Sequence, residues 1–433
     1  MKREEIVARD KRFVWHPYTQ MKRYVEETDP FVIERAQGAI LIDVDGKRYL
    51  DGNSSWWVAA LGHNHPRLVR ALTDQAQKLC HVSLAGVTHE PVARLAERMV
   101  AIAPKGIERA FFSDDGSTAL EAAIKMVVGY HQHRGDSGRQ SFVSLAGAFH
   151  GETLGVTALG GVELFRKSFA SLLMSVRFVP PPKHDEDETG PAARALDELF
   201  EKHGQEIAGM VLEPLVQGAT GMRFYPAWYL AHARKRCDAF GALLIIDEVF
   251  TGYGRTGTFW ASQQAGVSPD ILCTAKAFSG GMFPMAATLV TDAVYEAFLG
   301  PPERAFYYGH SFAGNPLGAR VALEVLDVMR DEQVVEGVAA RSAMIAKTFQ
   351  KLGALGGTVE PRTLGMIGAI DLSAGGSYLG QVGWRVFQEA RRRGAYLRPL
   401  GDVVYVAPPL NIPLAELEEL LAIVEASVVV ALQ

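Results

Sequence analysis

The chain has 433 residues, 48% hydrophobic and 21% charged, enough apolar surface for one large core or two packed closely together. A net charge of −5 gives no electrostatic reason to bind nucleic acid or an anionic membrane surface, and points to small-molecule partners. The three cysteines, Cys80, Cys237 and Cys273, form no CxxC pair, which argues against a zinc ribbon or a disulfide framework and fits a reducing cytoplasm.

The opening MKREEIVARDKR is charged and lacks the apolar core of a secretory signal. No uninterrupted apolar run approaches bilayer length, so a cytoplasmic protein without a membrane span is expected. The triplet His63–Asn64–His65 has the look of a metal cluster, but it falls in a GHNHP turn and nothing else supplies matching ligands, so no metal is expected. In FFSDDGSTALEAAIKMVVGYH, residues Leu120, Ala123, Ile124, Val127 and Val128 follow helical spacing, which places Asp115, Gly116 and Ser117 at the helix N-terminus. Free amides and the positive end of the helix dipole there suit a phosphate, although Asp and Ser also serve as ordinary caps.

Beyond this helix the chain alternates short apolar runs with helical patterns: FVSL at 142–145, IAGMVLEP from 207, ALLIID from 242 and DILCTAK from 270. Such alternation predicts an α/β domain with a mostly parallel sheet, whose ligands collect beyond the carboxyl ends of the strands. The proline-rich, acidic PPPKHDEDETGPAA at 180–193 reads as a surface excursion within that domain. Two residues stand at predicted strand ends. Asp247 follows the apolar run of 242–246, and a carboxylate so placed needs a partner, whether a turn, a helix or a ligand. Lys276 follows another short strand and precedes a glycine turn; solvated, it is a loop charge, but desolvated it can lose its proton near neutral pH and attack an aldehyde. Together a Schiff-base lysine and a carboxylate able to hold a pyridine nitrogen protonated meet the two main demands of pyridoxal 5'-phosphate (PLP) chemistry. The GYGRTG of Gly252–Gly257 formally matches the dinucleotide pattern, but it neither leaves a strand directly nor opens a helix, so it is read as a loop. After about residue 320 long helices such as LGARVALEVLDVM precede short strands near LRPLGDVVYVAP, which suggests a smaller α+β unit.

In their order along the chain, LEPLVQGATGM, LLIIDEVFTGYGRTG, DILCTAKAFSGG and GNPLGARVALEVL resemble the class III aminotransferases of PLP fold type I, over nearly the whole length. The resemblance implies an α/β fold: a large PLP-binding domain, 61–325, with a mostly parallel seven-stranded sheet flanked by helices, and a small α+β domain, 326–433, against which residues 1–60 pack. It makes Lys276 the cofactor-bearing lysine and proton carrier, and Asp247 the partner of the pyridine nitrogen. Gly116 and Ser117 would hold the phosphate, with Val249 and Phe149 on the two ring faces. His310 and Ser311 fall where the family approaches the cofactor of the neighbouring subunit, which implies a homodimer with shared active sites. Tyr18, Trp56, Phe149, Gly309 and Arg398 match substrate-lining positions. WHPYTQMK, DGNSSWWVAALGHNHP, LAGVTHEPVARLAERM and LRPLGDVVYVAPP look most like the branch acting in biotin formation, with S-adenosylmethionine as donor and 8-amino-7-oxononanoate as acceptor. For that acceptor Trp56 and Trp57 offer apolar wall and Arg398 a carboxylate partner. Phe149, Glu152 and His310 depart from the tyrosine, aspartate and proline common in that branch. Lysine or an ω-amino acid as donor, and a decarboxylase or aminomutase on the same fold, are the competing expectations.

Overall fold

The computed structural model describes residues 1–372 and 379–433. Its centre is a seven-stranded sheet made of β1 (Ile107–Ser113), β2 (Ser141–Leu145), β3 (Val176–Val179), β4 (Ile207–Leu212), β5 (Leu243–Asp247), β6 (Ile271–Thr274) and β7 (Ala286–Thr291). Across the sheet the order is β1-β7-β6-β5-β4-β2-β3. Only β7 runs against its neighbours, antiparallel to both β6 and β1. Parallel pairing sets Asp247 beside Cys273, so β5 and β6 end side by side and the two functional candidates leave the sheet at the same edge.

The inner strands, β2 and β4 to β7, are buried along nearly their whole length because both faces are covered. On β5, Leu243 and Ile245 pack with Leu120, Ala123, Ile124 and Val127 of helix α1 (Gly116–His133). Leu244 and Ile246, pointing the other way, pack with Tyr229, Leu230, Ala233 and Cys237 of α2 (Trp228–Phe240). That is the period-two alternation of a strand between two helical layers. Fully burying each of these aliphatic side chains contributes roughly 1.5–3 kcal/mol.

Helix α1 begins at the predicted place. Asp115 is its N-cap, accepting Thr118 N–H at 2.9 Å, while Thr118 Oγ1 accepts Asp115 N–H at 3.0 Å. The acidic excursion ends sooner than expected. A helix already starts at Pro191, because proline at the first helical position has no N–H to leave unsatisfied. Gly252–Gly257 forms turns, as expected, and the buried Arg255 of this loop donates to Pro408 O at 2.6 Å.

The chain's two ends meet in smaller sheets. Strands at 33–37, 40–43 and 48–51 pair antiparallel, and Ala395–Tyr396 joins them parallel to Arg48–Asp51. Val403–Val406 pairs with Ile367–Asp371, which in turn pairs with Val359–Leu364. These pairings lay residues 51–57 against 395–407, beside the sheet edge where β5 and β6 end. Among the described residues no helix is long and apolar enough to cross a membrane.

Candidate active site

A cavity of about 640 Å³ opens at that edge, lined by residues from every candidate group except the 309–311 loop. Asp247 lies at its floor, 5% exposed. Its Oδ1 accepts Val249 N–H at 3.0 Å, and its Oδ2 is 2.8 Å from His150 Nδ1. The hydrogen bonds to both oxygens offset the burial of this side chain and fix it at the cavity wall.

Lys276 enters from the end of β6 on a backbone with φ +44°, a conformation disfavoured for any residue with a Cβ. Its amine is enclosed by aromatic faces: Nζ is 4.7 Å from the Trp57 ring centre and 6.0 Å from that of Phe250. Burial pushes the ammonium pKa down, with the charges of Asp247 and Glu213 opposing. A larger share of such an amine is unprotonated near neutral pH than of free lysine, and only that form can attack an aldehyde or accept a proton.

At the other end of the cavity stand Gly116 and Ser117, in the first turn of α1. A Cβ on Gly116 would lie 2.8 Å from Val249 Cγ1, so only glycine allows the helix to meet that wall. Ser117 Oγ accepts the N–H of Glu152 at 3.1 Å. Phe149 and Val249 both line the cavity. The mouth is aromatic: Tyr18 stands edge-on to Trp56 at 5.4 Å and to Phe165 at 5.7 Å, and Phe165 is 5.9 Å from Phe149. The Arg398 guanidinium lies 4.8 Å over Trp56, and the Tyr18 hydroxyl donates to Glu152.

Lys276, Asp247, Gly116, Ser117, Phe149, Val249, Tyr18, Trp56 and Arg398 therefore share one cavity. Gly309, His310 and Ser311 do not line it. His310 stands beyond its edge, with Nδ1 2.9 Å from Asp114 Oδ2 and Nε2 3.1 Å from Tyr308 Oη. His63 and His65 turn to separate carboxylates, Asp51 at 2.8 Å and Glu332 at 3.1 Å.

Two buried ionisable residues of the cavity, His150 and Glu213, are not among the sequence candidates. His150, its side chain fully buried, orients Asp247, while its own Nε2 has no hydrogen-bond partner among the described residues. Glu213 receives the N–H groups of Phe149 at 3.0 Å and Gly218 at 2.9 Å, and burial pushes its carboxyl up to about 7 despite His150 nearby. Glu213 carried a legible signal, since it follows the apolar IAGMVL as Asp247 follows ALLII. His150 had only its adjacency to Phe149.

An enclosed amine of lowered pKa, an oriented carboxylate and a helix N-terminus around an aromatic-walled slot fit a flat, phosphorylated aldehyde with a ring nitrogen. Residues 22–428 match the class-III aminotransferase family, and the chain belongs to that family. Its relatives narrow the likeness. It is 40% identical over 438 residues to the adenosylmethionine-8-amino-7-oxononanoate aminotransferase of Nitratidesulfovibrio vulgaris, covering 97% of this chain and 81% of that one. The crystal structure of the protein of the same name from Methanocaldococcus jannaschii superposes with a TM-score of 0.94 at 35% identity, covering 99% of each chain. An amine transaminase from an uncultivated Pseudomonas species, solved with PLP bound, superposes at 0.91 with 32% identity, over 97% of this chain and 99% of that one.

Proposed function

We propose that this chain uses PLP to move the amino group of S-adenosylmethionine onto 8-amino-7-oxononanoate, giving 7,8-diaminononanoate, the reaction its relatives' names describe. The observation that carries the proposal is the placement of Lys276 and Asp247 at the ends of adjacent strands, inside a cavity whose far wall is the N-terminus of α1. When bound, PLP supplies the aldehyde that takes up the amino group and a ring that accepts the electron pair left on carbon. Lys276 holds the cofactor at rest. Displaced by the donor, its Nζ takes the α-proton, and in the return half it delivers a proton to the former ketone carbon of the acceptor. Asp247, oriented by His150, keeps the ring nitrogen protonated. Gly116 and Ser117 hold the phosphate, and Phe149 and Val249 flank the ring.

The substrates differ at every point except one amine-bearing or ketone carbon and a carboxylate, so one mouth serves both. Arg398 offers a bidentate partner to the acceptor's distal carboxylate, while Trp56 and Tyr18 cover its methylene chain. Two copies of the chain share their sites, Gly309, His310 and Ser311 of one reaching the cofactor of the other; this accounts for their place outside the cavity of their own chain. The compartment is the cytoplasm.

Initial rates at varied donor and acceptor test the proposal. Parallel reciprocal plots with S-adenosylmethionine as donor are expected of an amino group parked on the enzyme between half-reactions. Intersecting plots would count against it, and turnover with lysine or an ω-amino acid in place of S-adenosylmethionine would reassign the donor. Carbon dioxide release, or isomerisation without an amino acceptor, would remove the aminotransferase reading altogether.

A further inference from the structure

Four consecutive non-glycine residues, Ser54, Ser55, Trp56 and Trp57, have φ values of +48, +44, +66 and +73°. Left-handed backbone crowds the Cβ of an L-residue against the following carbonyl oxygen, so it normally occurs one residue at a time. A run of it persists only where the surroundings over-determine it. Here they do. Ser54 Oγ donates to Ala407 O at 2.7 Å, Ser55 Oγ donates to Asp51 Oδ2 at 2.8 Å, and Trp57 Nε1 donates to Tyr405 Oη at 3.1 Å. The turn sends the two tryptophans to different tasks. Trp56, 40% exposed, lies under the Arg398 guanidinium at the mouth, and Trp57, 5% exposed, lies under the Lys276 amine inside.

One buried side chain ties this turn to the segment that carries Arg398. Asn53, 1% exposed, accepts the Arg398 N–H on Oδ1 at 2.6 Å and donates through Nδ2 to Tyr405 O at 3.3 Å, while its own N–H is held by Asp51 Oδ1 at 3.1 Å. We propose that Asn53 is a positioning residue. Through the left-handed turn it fixes where the Arg398 guanidinium stands relative to Lys276, and so sets the length of carboxylate-bearing chain that the site accepts. The inference rests on the reading of Arg398 as the partner of a substrate carboxylate.

Calorimetric titration of the holoenzyme with nonanoate, a nine-carbon carboxylate that cannot react, reads this without turnover. Asn53→Leu keeps the volume and loses both bonds. It is expected to weaken nonanoate about tenfold, what one hydrogen bond of typical net strength provides, and to flatten the preference for nonanoate over heptanoate. In an Arg398→Ala background the same change is expected to have no further effect, because its influence passes through Arg398. Wild-type affinity and selectivity in Asn53→Leu, or losses that add in the double variant, would overturn the proposal. Arg398→Ala with undiminished nonanoate binding would instead remove the carboxylate reading on which it rests. Should Asn53→Leu not fold, Asn53→Asp retains the acceptor for Arg398 N–H and loses only the donor to Tyr405. It is expected to melt lower while keeping nonanoate affinity, and a loss of affinity at unchanged melting temperature would overturn the proposal.

Discussion

Alanine at position 151 tests the phosphate end of the site. Gly151 has φ +130°, and a Cβ there would lie 2.2 Å from Ser117 Oγ, 2.8 Å from Ser117 Cβ and 2.9 Å from Ser117 Cα. The hydroxyl could rotate aside, but the Cα belongs to the first turn of α1 and cannot. Forcing a non-glycine residue into this conformation costs about 1–3 kcal/mol. The overlap adds about 1–3 kcal/mol of displacement. The sum is roughly 2–6 kcal/mol. An unfolding entropy of about 2.1 cal/mol/K per residue over 433 residues makes 1 kcal/mol worth about 1 °C, so Gly151→Ala is expected to lower Tm by about 2–7 °C. Gly46→Ala is the control. Its φ is +82°, nothing lies within 4 Å of its would-be Cβ, and it stands in the turn between strands 40–43 and 48–51. It is expected to lose only the conformational part, about 1–3 °C. The smaller unfolded-state entropy of alanine offsets both variants alike. Because the overlap pushes Ser117, Gly151→Ala should also release PLP more readily in equilibrium dialysis, and Gly46→Ala should not. Equal Tm shifts and equal cofactor retention in the two variants would refute the reasoning.

Lys276→Ala is expected to abolish turnover together with the visible absorption band of covalently held cofactor, while PLP still binds through the α1 N-terminus; wild-type turnover would remove Lys276 from the chemistry. Asp247→Asn keeps the shape and loses the charge, and a fall in kcat of about 10²-fold or more is expected of a lost preorganised charge; steady-state kinetics at saturating PLP check this. Glu213 titrates higher folded than its ordinary 4.5, at about 7, because burial disfavours its charge. The folded state thus holds a proton that the unfolded chain has lost, so this stability is full below pH 4.5 and is lost as pH rises through about 7. The loss is roughly 3–4 kcal/mol. Urea midpoints should fall across that window in the wild type and stay flatter in Glu213→Gln, and parallel profiles would show that Glu213 is not the titrating group.

Local sequence determined a good deal of this protein. Strands β2, β4, β5 and β6 were legible as apolar runs because strands covered on both faces need no polar alternation, and α1 because its apolar positions recur at helical spacing above an Asp cap. Lys276 and Asp247 were legible because a charge directly after such a run needs a reason to be there. Burial, hydrogen bonds and convergence could not be read in the same way, since they depend on residues far apart in the chain. His150 meets Asp247 across 97 positions, and Asn53 reaches Arg398 across 345. Sequence periodicity reports what each element does to its own neighbours. Only the parallel register of β5 and β6, and the pairing of residues 48–51 with 395–396, decided that these groups share one cavity. The left-handed turn at 54–57 had no local signal at all, because SSWW contains no glycine. Its conformation is held by a local bond to Asp51 and by bonds to Ala407 and Tyr405 that exist only once the two ends of the chain have met.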